Sequence, residues 1–333
     1  MESQRLKVYV KTPARLHLGL IDLGGELGRI FGGIGVAIGY PNVILEAQPS
    51  QGFTAEGERS DTVKLLVERF LKKYRIEAKV TVNVKQTIPE HVGLGSGTQL
   101  ALAVAAALAK LFHVKASIQD LALAMGRGQI SGVGTAVFEK GGLVVEGGLK
   151  TQKNKPRLPA PESFPPVIFH QPFPDDWLFV VAIPNVKRGF TDEEEMPAFR
   201  RLPPMPAQDV GKICRLTMMK LLPSLIEHDI ENFGSALTQI QNIVGEYFAE
   251  VQGGRYSSPI AKECTEHMLE LGAYAVGQSS WGPTFYGLVQ GEKQARKLQS
   301  HIQVFLDRRV GGKAFYTKAN NRGAYIKLRE ING

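Results

Sequence analysis

Ile88-Pro89-Glu90-His91-Val92-Gly93-Leu94-Gly95-Ser96-Gly97-Thr98-Gln99 passes directly into LALAVAAALAK at 100–110. Three glycines at alternate positions let the backbone turn tightly. The alternating, β-branched stretch VTVNVKQ at 80–86 predicts a strand before this turn, and the Ala/Leu-rich segment 98–112 predicts a helix after it. In that order, the loop amides join the four unpaired N–H groups and the positive dipole end of the helix. Such an arrangement suits a phosphate group. It is not a Walker A loop, because no lysine follows the last glycine, and Gly-x-Gly-x-Gly is not the dinucleotide spacing Gly-x-Gly-x-x-Gly. On these residues alone the segment reads either as a phosphate cradle or as a plain connection in which Ser96 caps the helix.

Working outward, LKVYVKT at 6–12 and VILEAQ at 43–48 predict further strands. Val63, Leu66, Val67, Phe70, Leu71 and Tyr74 form one apolar helical stripe between the second of these and residue 80. Pro156, Pro159, Pro161, Pro165, Pro166, Pro172 and Pro174 crowd one polar stretch, where irregular structure is expected because proline lacks a backbone donor. A domain boundary is placed near its end, giving domains 1–172 and 173–333. The second half predicts a strand at 177–184, helices near 209–228, 230–251 and 259–271, strands near 273–277 and 284–290, a helix at 292–307, and strands at 314–318 and 323–328. That is a mixed α+β layer.

With 333 residues, 43% hydrophobic and 22% charged, the chain has the composition of an ordinary soluble protein, and its 36 glycines and 19 prolines are too scattered for a low-complexity chain. The net charge of +8 fits either a solvated basic surface or anionic partners in general. Only basic doublets occur, such as Lys72-Lys73, Arg200-Arg201 and Arg308-Arg309, without interleaved aromatics, so no nucleic-acid partner is expected. The two cysteines, Cys214 and Cys264, and the seven histidines show neither CxxC nor HExxH spacing, which argues against a zinc site. The start Met1-Glu2-Ser3-Gln4 has no apolar signal region, and the longest apolar stretch, Leu100 to Ala109, is far below the roughly 18 residues of a membrane span. A cytoplasmic protein without a membrane partner is expected.

Two further segments give the glycine loop its context. The first is Lys11-Thr12-Pro13-Ala14-Arg15-Leu16-His17-Leu18-Gly19-Leu20-Ile21-Asp22, followed by Gly24, Gly25, Gly28, Arg29, Gly32, Gly33 and Gly35. The second is Gly277-Gln278-Ser279-Ser280-Trp281-Gly282-Pro283-Thr284, between two predicted strands. Together the three segments resemble the three motifs of the GHMP family of small-molecule kinases. The middle one matches that family's Pro-x-x-x-Gly-Leu-Gly-Ser-Ser loop, except that Gly97 replaces the second serine. The resemblance runs from about Lys7 to Val289. It implies an α+β, two-domain fold, with a ribosomal-S5-like N-terminal domain containing a left-handed crossover and a ferredoxin-like C-terminal domain. Several family kinases carry an aspartate after a Ser-Gly pair, where Ser131-Gly132-Val133-Gly134-Thr135 offers Gly134, and Thr135 is too weak an acid to serve alone as a base. Homoserine-kinase-like members also lack that aspartate, so an ATP-dependent small-molecule kinase stays open as the alternative.

The spellings around Arg15, Gly95, Gly126-Arg127-Gly128 and Trp281 resemble a branch of the family that transfers ribose rather than phosphate. That likeness implies condensation of phosphoribosyl pyrophosphate with 4-aminobenzoate, loss of CO2 and pyrophosphate, a place in tetrahydromethanopterin biosynthesis, Mg²⁺ as cofactor and a homodimer. The expected phosphate-binding residues are Gly93, Leu94, Gly95, Ser96, Gly97 and Thr98 with Arg29 and Arg127. Arg15, His17 and Asp22 are the catalytic candidates, and Ser96 and Asp22 the metal ligands. Ser131, Ser280, Trp281 and Thr284 are expected at the acceptor. Each has a plainer reading: arginines in surface salt bridges, His17 and Trp281 in the core, Asp22 capping a turn. The acidic run Asp192-Glu193-Glu194-Glu195 reads as a solvated helix start, or as a segment closing over the site.

Overall fold

Val8 and Val10 are buried between half-buried or exposed neighbours along the strand Arg5–Lys11, and Val80, Val82 and Val84 likewise along Val80–Gln86, so each strand buries one face. In the computed structural model, which describes residues 5–161, 163–190 and 192–331, these strands belong to a five-stranded sheet. Its order is Tyr325–Ile331, Arg5–Lys11, Ile44–Pro49, Val80–Gln86, Thr54–Gly57. The last described strand of the chain therefore returns to pair antiparallel with the first. The expected start at Met1 to Gln4 lies outside the described residues.

The helix Ser60–Tyr74 buries Val63, Leu66, Val67 and Phe70, the stripe its spacing predicts. It packs on the helix Ser96–Leu111, which is buried from Gln99 to Ala109. Burial all round is why that segment is apolar on every face, and its alanines let sheet and helices approach closely.

The second sheet pairs Ala14–Asp22 with Arg29–Ile38, whose other neighbours are Leu143–Glu146 and Leu149–Gln152. Its glycines answer a packing need: a Cβ on Gly35 would lie 2.3 Å from Val133 Cγ1 and 2.9 Å from the Leu16 carbonyl. The helix Val133–Lys140 therefore sits directly on this strand. The proline-rich stretch is less irregular than expected. It contributes the short strands Lys155–Pro159 and Val167–Gln171, which lie at the two edges of the sheet, where missing N–H groups are tolerated.

The third sheet has the order Ala275–Gln278, Phe285–Gln290, Trp177–Pro184, Gly312–Lys318, all antiparallel. Numbered along the chain this is 2-3-1-4, the ferredoxin-like arrangement. The helix Ile230–Gln252 packs on it and also on the second sheet. Gln241 donates to the Leu18 carbonyl at 2.7 Å and accepts from the Gln278 amide at 3.0 Å, tying the two halves through one buried side chain. The helix expected near 209–228 is Ala207–Leu216 and Leu222–Ile226, joined by a π turn at Thr217–Leu221. Among the described residues no helix is long and apolar enough to cross a membrane.

Gly35→Ala should lower the unfolding free energy by about 1–3 kcal/mol through overpacking. In the open interior of the helix Ala207–Leu216, Gly211→Ala should raise it by about 0.5–1 kcal/mol. Urea denaturation of the two variants checks both signs, and a neutral Gly35→Ala would contradict the close helix contact.

Candidate active site

Gly93 and Gly95 adopt left-handed conformations, with φ of 88° and 77°. Gly95 is the N-cap of the helix Ser96–Leu111 and supplies no side-chain acceptor, so Ser96 lies inside the helix instead of capping it. The first-turn amides are thereby left for a ligand. The loop is clamped from two sides. Arg15 Nη1 and Ser279 Oγ both donate to the Gly93 carbonyl at 2.6 Å, and the Arg15 amide donates to the Leu94 carbonyl at 3.1 Å. Ser279 Oγ in turn accepts the His17 amide at 2.9 Å. The Thr284 amide donates to the Val92 carbonyl at 3.2 Å. All three sequence segments thus meet at one loop.

The cavity above the loop is lined by Gly93, Gly95, Ser96, Gly97 and Thr98 together with the cationic side chains of Arg15, Arg59 and Arg127. Gly97, the departure from the family loop, makes room for one of them: a Cβ there would lie 3.3 Å from Arg127 Nη1. Arg59 was not anticipated. It precedes the helix Ser60–Tyr74, and Nη2 pairs with Glu90 Oε1 at 2.5 Å while Nε and Nη1 are buried without hydrogen-bond partners. Burial lowers its pKa, and Arg127 adds to that, against the opposing pull of Glu90. An anion in the cavity would relieve that repulsion. Nothing in the composition around Arg59 marks it, because its role comes from where the preceding strand ends.

A second, wider cavity shares Arg15, Thr98, Arg127, Glu195, Ser280 and Trp281 with the first. Its walls add His17, Ser131, Met196, Phe199 and Phe248. Trp281 packs against Phe190, Phe199 and Phe248 at ring-centroid distances of 4.7, 5.5 and 4.6 Å, so it is both core and cavity wall. Glu195 turns one end of the acidic run toward both cavities, beyond the solvated helix start that the run's charge suggested. The side chains of Asp192 and Glu193 lie outside the described residues.

Four expected site residues, Asp22, Arg29, Thr284 and Leu94, sit elsewhere. Asp22 Oδ1 accepts from the amides of Gly24 and Gly25 at 2.8 and 2.9 Å, which is the turn-capping alternative. Arg29 donates to the carbonyls of Gly147 and Gly148 at 2.5 and 2.6 Å, fixing a turn behind the cavity. Thr284 is fully buried. Leu94 is buried too, and none of the four lines the two cavities. Among the described residues no three His, Cys, Asp or Glu side chains gather as a metal cluster. Gly134 is filled from outside: a Cβ there would meet Thr98 Cγ2 at 3.1 Å, and its carbonyl accepts from Gln99 Nε2 at 2.8 Å.

A buried polar chain leads away from the wider cavity. His17 Nε2 lies 3.2 Å from Ser131 Oγ, and the Ser131 hydroxyl and the Glu146 carboxylate both sit against Gly33, where the hydroxyl helps hold the carboxyl pKa down. Glu146 is fully buried and also accepts the amides of Gly132 at 3.2 Å and Gly148 at 2.6 Å. Burial pushes its pKa up to about 7 against those hydrogen bonds and the Arg29 charge. Burial, helped by the Arg15 charge, brings His17 down to about 3. Sequence reading missed Glu146; its one signal is a carboxylate closing the apolar strand Leu143–Glu146 between glycine pairs.

This geometry can be set beside known proteins. The GHMP kinases N terminal domain family matches residues 61–142, and the GHMP kinases C terminal family matches residues 221–305. Beta-ribofuranosylphenol 5'-phosphate synthase of Archaeoglobus fulgidus is 37% identical over 324 residues, covering 96% of this chain and 99% of that protein. The protein of the same name from Methanothermobacter thermautotrophicus is 34% identical over 334 residues, with 96% and 99% covered. The chain belongs to this synthase family, within the GHMP kinases. It is an enzyme of the synthase type on a GHMP kinase fold. The fold is shared with homoserine kinase from Cytophaga hutchinsonii, at a TM-score of 0.65 and 18% identity over 98% of each chain. Mevalonate pyrophosphate decarboxylase from Streptococcus pyogenes gives 0.67 and 13%, covering 96% of this chain and 98% of that one.

Glu146 and His17 have opposite consequences for stability. Glu146 titrates higher folded than unfolded, so the folded state holds the extra proton and stability from this group falls as pH rises from 4.5 to about 7. His17 titrates lower when folded, so its contribution is lost as pH falls from 6.5 to about 3. Replacing Glu146 by Gln removes only the first term. Between pH 4.5 and 7 the unfolding free energy of Glu146→Gln should gain on the parent by an amount on the order of 3 kcal/mol. Parallel curves in urea titrations across that range would contradict a carboxyl group held this way.

Proposed function

We propose that this chain joins C1 of phosphoribosyl pyrophosphate to the ring carbon of a para-substituted benzoate that bears the carboxylate, releasing pyrophosphate and CO2. The observation that carries this reading is the pair of connected cavities, one made of amides and guanidinium groups, the other walled by aromatic rings. The diphosphate occupies the first, on the amides of residues 95–98, with Arg15, Arg59 and Arg127 around it. The flat acceptor occupies the second, against Trp281 and Phe248, with Ser280 and His17 as polar contacts and Ser131 beside His17. The reacting carbon of the ribose then lies at the junction that both cavities share.

The names of the curated relatives favour a hydroxyl as the para substituent, so 4-hydroxybenzoate is the first acceptor to assay and 4-aminobenzoate the second. Either substituent feeds electrons to the ring carbon opposite, which attacks C1 as the C1–O bond to pyrophosphate breaks. Loss of CO2 then restores aromaticity. Fixed donors that meet the developing charge of the leaving group supply the main stabilisation. The helix end contributes at most about 2 kcal/mol, so the guanidinium groups carry most of it. Mg²⁺ travelling with the diphosphate fits the oxygen donors present there, the Ser96 hydroxyl and the Glu195 carboxylate, and would neutralise leaving-group charge. Asp22 spends its Oδ1 on two amides and is not required for this. No substrate hydroxyl next to a phosphoryl group needs a base, which agrees with Gly134 being packed against Thr98.

Incubated with Mg²⁺, phosphoribosyl pyrophosphate and carboxyl-labelled 4-hydroxybenzoate or 4-aminobenzoate, the protein should release labelled CO2 and pyrophosphate in equal amounts. Gly95→Val places a side chain 2.8 Å from Arg15 Cγ in a left-handed conformation and should abolish release while the fold persists by circular dichroism. Arg127→Ala should cost about 10²–10³ in kcat, the range for removing one such donor. Turnover of ATP with alcohols, and no CO2 from either benzoate, would instead establish the kinase alternative.

A further inference from the structure

Resting on the ribosyl-transfer reading, we propose that Glu146, Ser131 and His17 form a proton relay that takes the para-hydroxyl proton of the acceptor as the C–C bond forms and returns it as CO2 leaves. The reaction just described pushes electrons from a phenol oxygen into the ring, and a phenol does this well only if its proton departs. Around the diphosphate the amides and guanidinium groups cannot take that proton, Glu90 is paired with Arg59, and Glu195 is the carboxylate assigned above to Mg²⁺. The wider cavity offers one neutral acceptor connected to a buried carboxylate.

The placement fits the length of the acceptor. His17 lies two residues beyond Arg15 on the same face of the strand Ala14–Asp22, about 7 Å along it, the scale of a para-disubstituted benzene ring. Arg15 marks the diphosphate end and His17 the far end. His17 Nε2 is committed to Ser131, and Nδ1 has no hydrogen bond among the described residues, while the ring lines the cavity.

The hydroxyl of Ser131 has one donor and two acceptor sites, and its surroundings satisfy it in two ways. In one, it accepts from the Val133 amide, 3.2 Å away, and from His17 Nε2–H, and donates to the Glu146 carboxylate. In the other, it accepts from the same amide and from a protonated Glu146, and donates to a bare His17 Nε2. Moving between them takes up one proton at His17 Nδ1 and delivers another, by way of Nε2 and Ser131, to Glu146 without moving a heavy atom.

The steps balance. As the ring carbon bonds to C1 and the electron pair of the C1–O bond leaves with pyrophosphate, the phenol O–H pair becomes the carbonyl of a cyclohexadienone. Its proton passes to Nδ1, the Nε2 proton to Ser131 and the Ser131 proton to Glu146. When the C–COO⁻ bond breaks, its electron pair returns to the ring, and the dienone oxygen recovers a proton from Nδ1 as the relay reverses. No co-reactant is consumed. A histidine held neutral across the working range carries protons without accumulating charge beside Arg15, and a carboxyl group pushed up to about 7 is ionised above neutrality yet basic enough to accept. The charges that act on the relay are Arg29 on Glu146 and Arg15 on His17. From the other elements packed there, the helix Val133–Lys140 presents Val133 and the strand Val167–Gln171 pairs Val167 with Glu146, neither of them titratable.

The test compares the parent protein with Glu146→Gln, Ser131→Ala and the double variant, using phosphoribosyl pyrophosphate with 4-hydroxybenzoate and with 4-aminobenzoate between pH 5 and 9. For the hydroxy acid, parent kcat should rise with pH through an apparent pKa near 7, and Glu146→Gln should lose that limb and about 10²-fold in kcat. The KM for phosphoribosyl pyrophosphate should not move. Ser131→Ala should lose as much, and the double variant no more than either alone, because a chain is broken once. The amino acceptor, whose nitrogen lone pair feeds the ring without losing a proton, should slow by no more than a few-fold. Equal loss with both acceptors, or a pH limb that survives in Glu146→Gln and Ser131→Ala, overturns the relay while leaving ribosyl transfer standing. No CO2 from either acceptor with the parent protein overturns the functional reading and the relay with it.

Discussion

The Gly93 carbonyl accepts one hydrogen bond from Arg15, 78 residues before it, and one from Ser279, 186 residues after it. These two contacts hold a glycine-rich loop that would otherwise be the most mobile connection in the chain, since glycine loses more backbone freedom on ordering than any other residue. The packing is tight enough that a Cβ at Gly93 would lie 2.1 Å from the Ser279 carbonyl. Because Arg15 and Ser279 come from different halves of the molecule, the loop takes its shape only when both halves have folded against each other. The ordering cost is met during folding, so the amides face the cavity already arranged for an anion.

That arrangement stores electrostatic tension. Arg15, Arg59 and Arg127 surround one small cavity, and Arg59 is partly buried with two of its nitrogens unsatisfied. Glu90 offsets part of this repulsion and lies at the rim, where it fixes one guanidinium without filling the cavity. The far wall is different in kind: His17 is neutral, Glu146 is sealed from solvent, and aromatic rings complete the surface. The site is thus polarised, densely cationic at one end and, apart from Glu195 and Arg255, aromatic and neutral at the other. A substrate with a polyanionic end and a flat, weakly polar end matches that polarity better than two phosphates would.

Local chemistry made much of this legible from the chain alone. The periodicity of Val63 to Tyr74, the alternation of Val80 to Val84 and the glycine turn before Ser96 each encode their element within a few residues, and the structure follows them. The cavity residues Arg15, His17, Arg127, Ser131 and Trp281 were likewise reachable, because the motifs that hold them are short. What stayed hidden depends on distant parts of the chain. Asp22 and Arg29 have the right chemistry for a site and are diverted by nearby backbone groups, amides in one case and carbonyls in the other. Arg59 and Glu146 have no motif at all; one becomes functional because a helix starts beside the loop, the other because Gly33 and Val133 leave it no path to solvent. The edge strand Lys155–Pro159 shows the same limit, since proline forbids a central strand and says nothing about a sheet edge.

Two glycines explain how a kinase fold accommodates different chemistry. At Gly97 a missing side chain admits the Arg127 guanidinium to the amide cradle, adding a full positive charge where the family loop has a serine hydroxyl. At Gly134 a missing carboxylate lets Thr98 close against the second glycine turn, removing the group that would otherwise meet a substrate hydroxyl. Each change alone would weaken phosphoryl transfer, the first by holding the diphosphate more firmly and the second by removing a base. Together they move proton handling away from the phosphate and leave the opposite wall, His17 and what lies behind it, as the place where a proton can go. On the ribosyl-transfer reading proposed above, the same helix end and loop would serve to draw a diphosphate off a sugar.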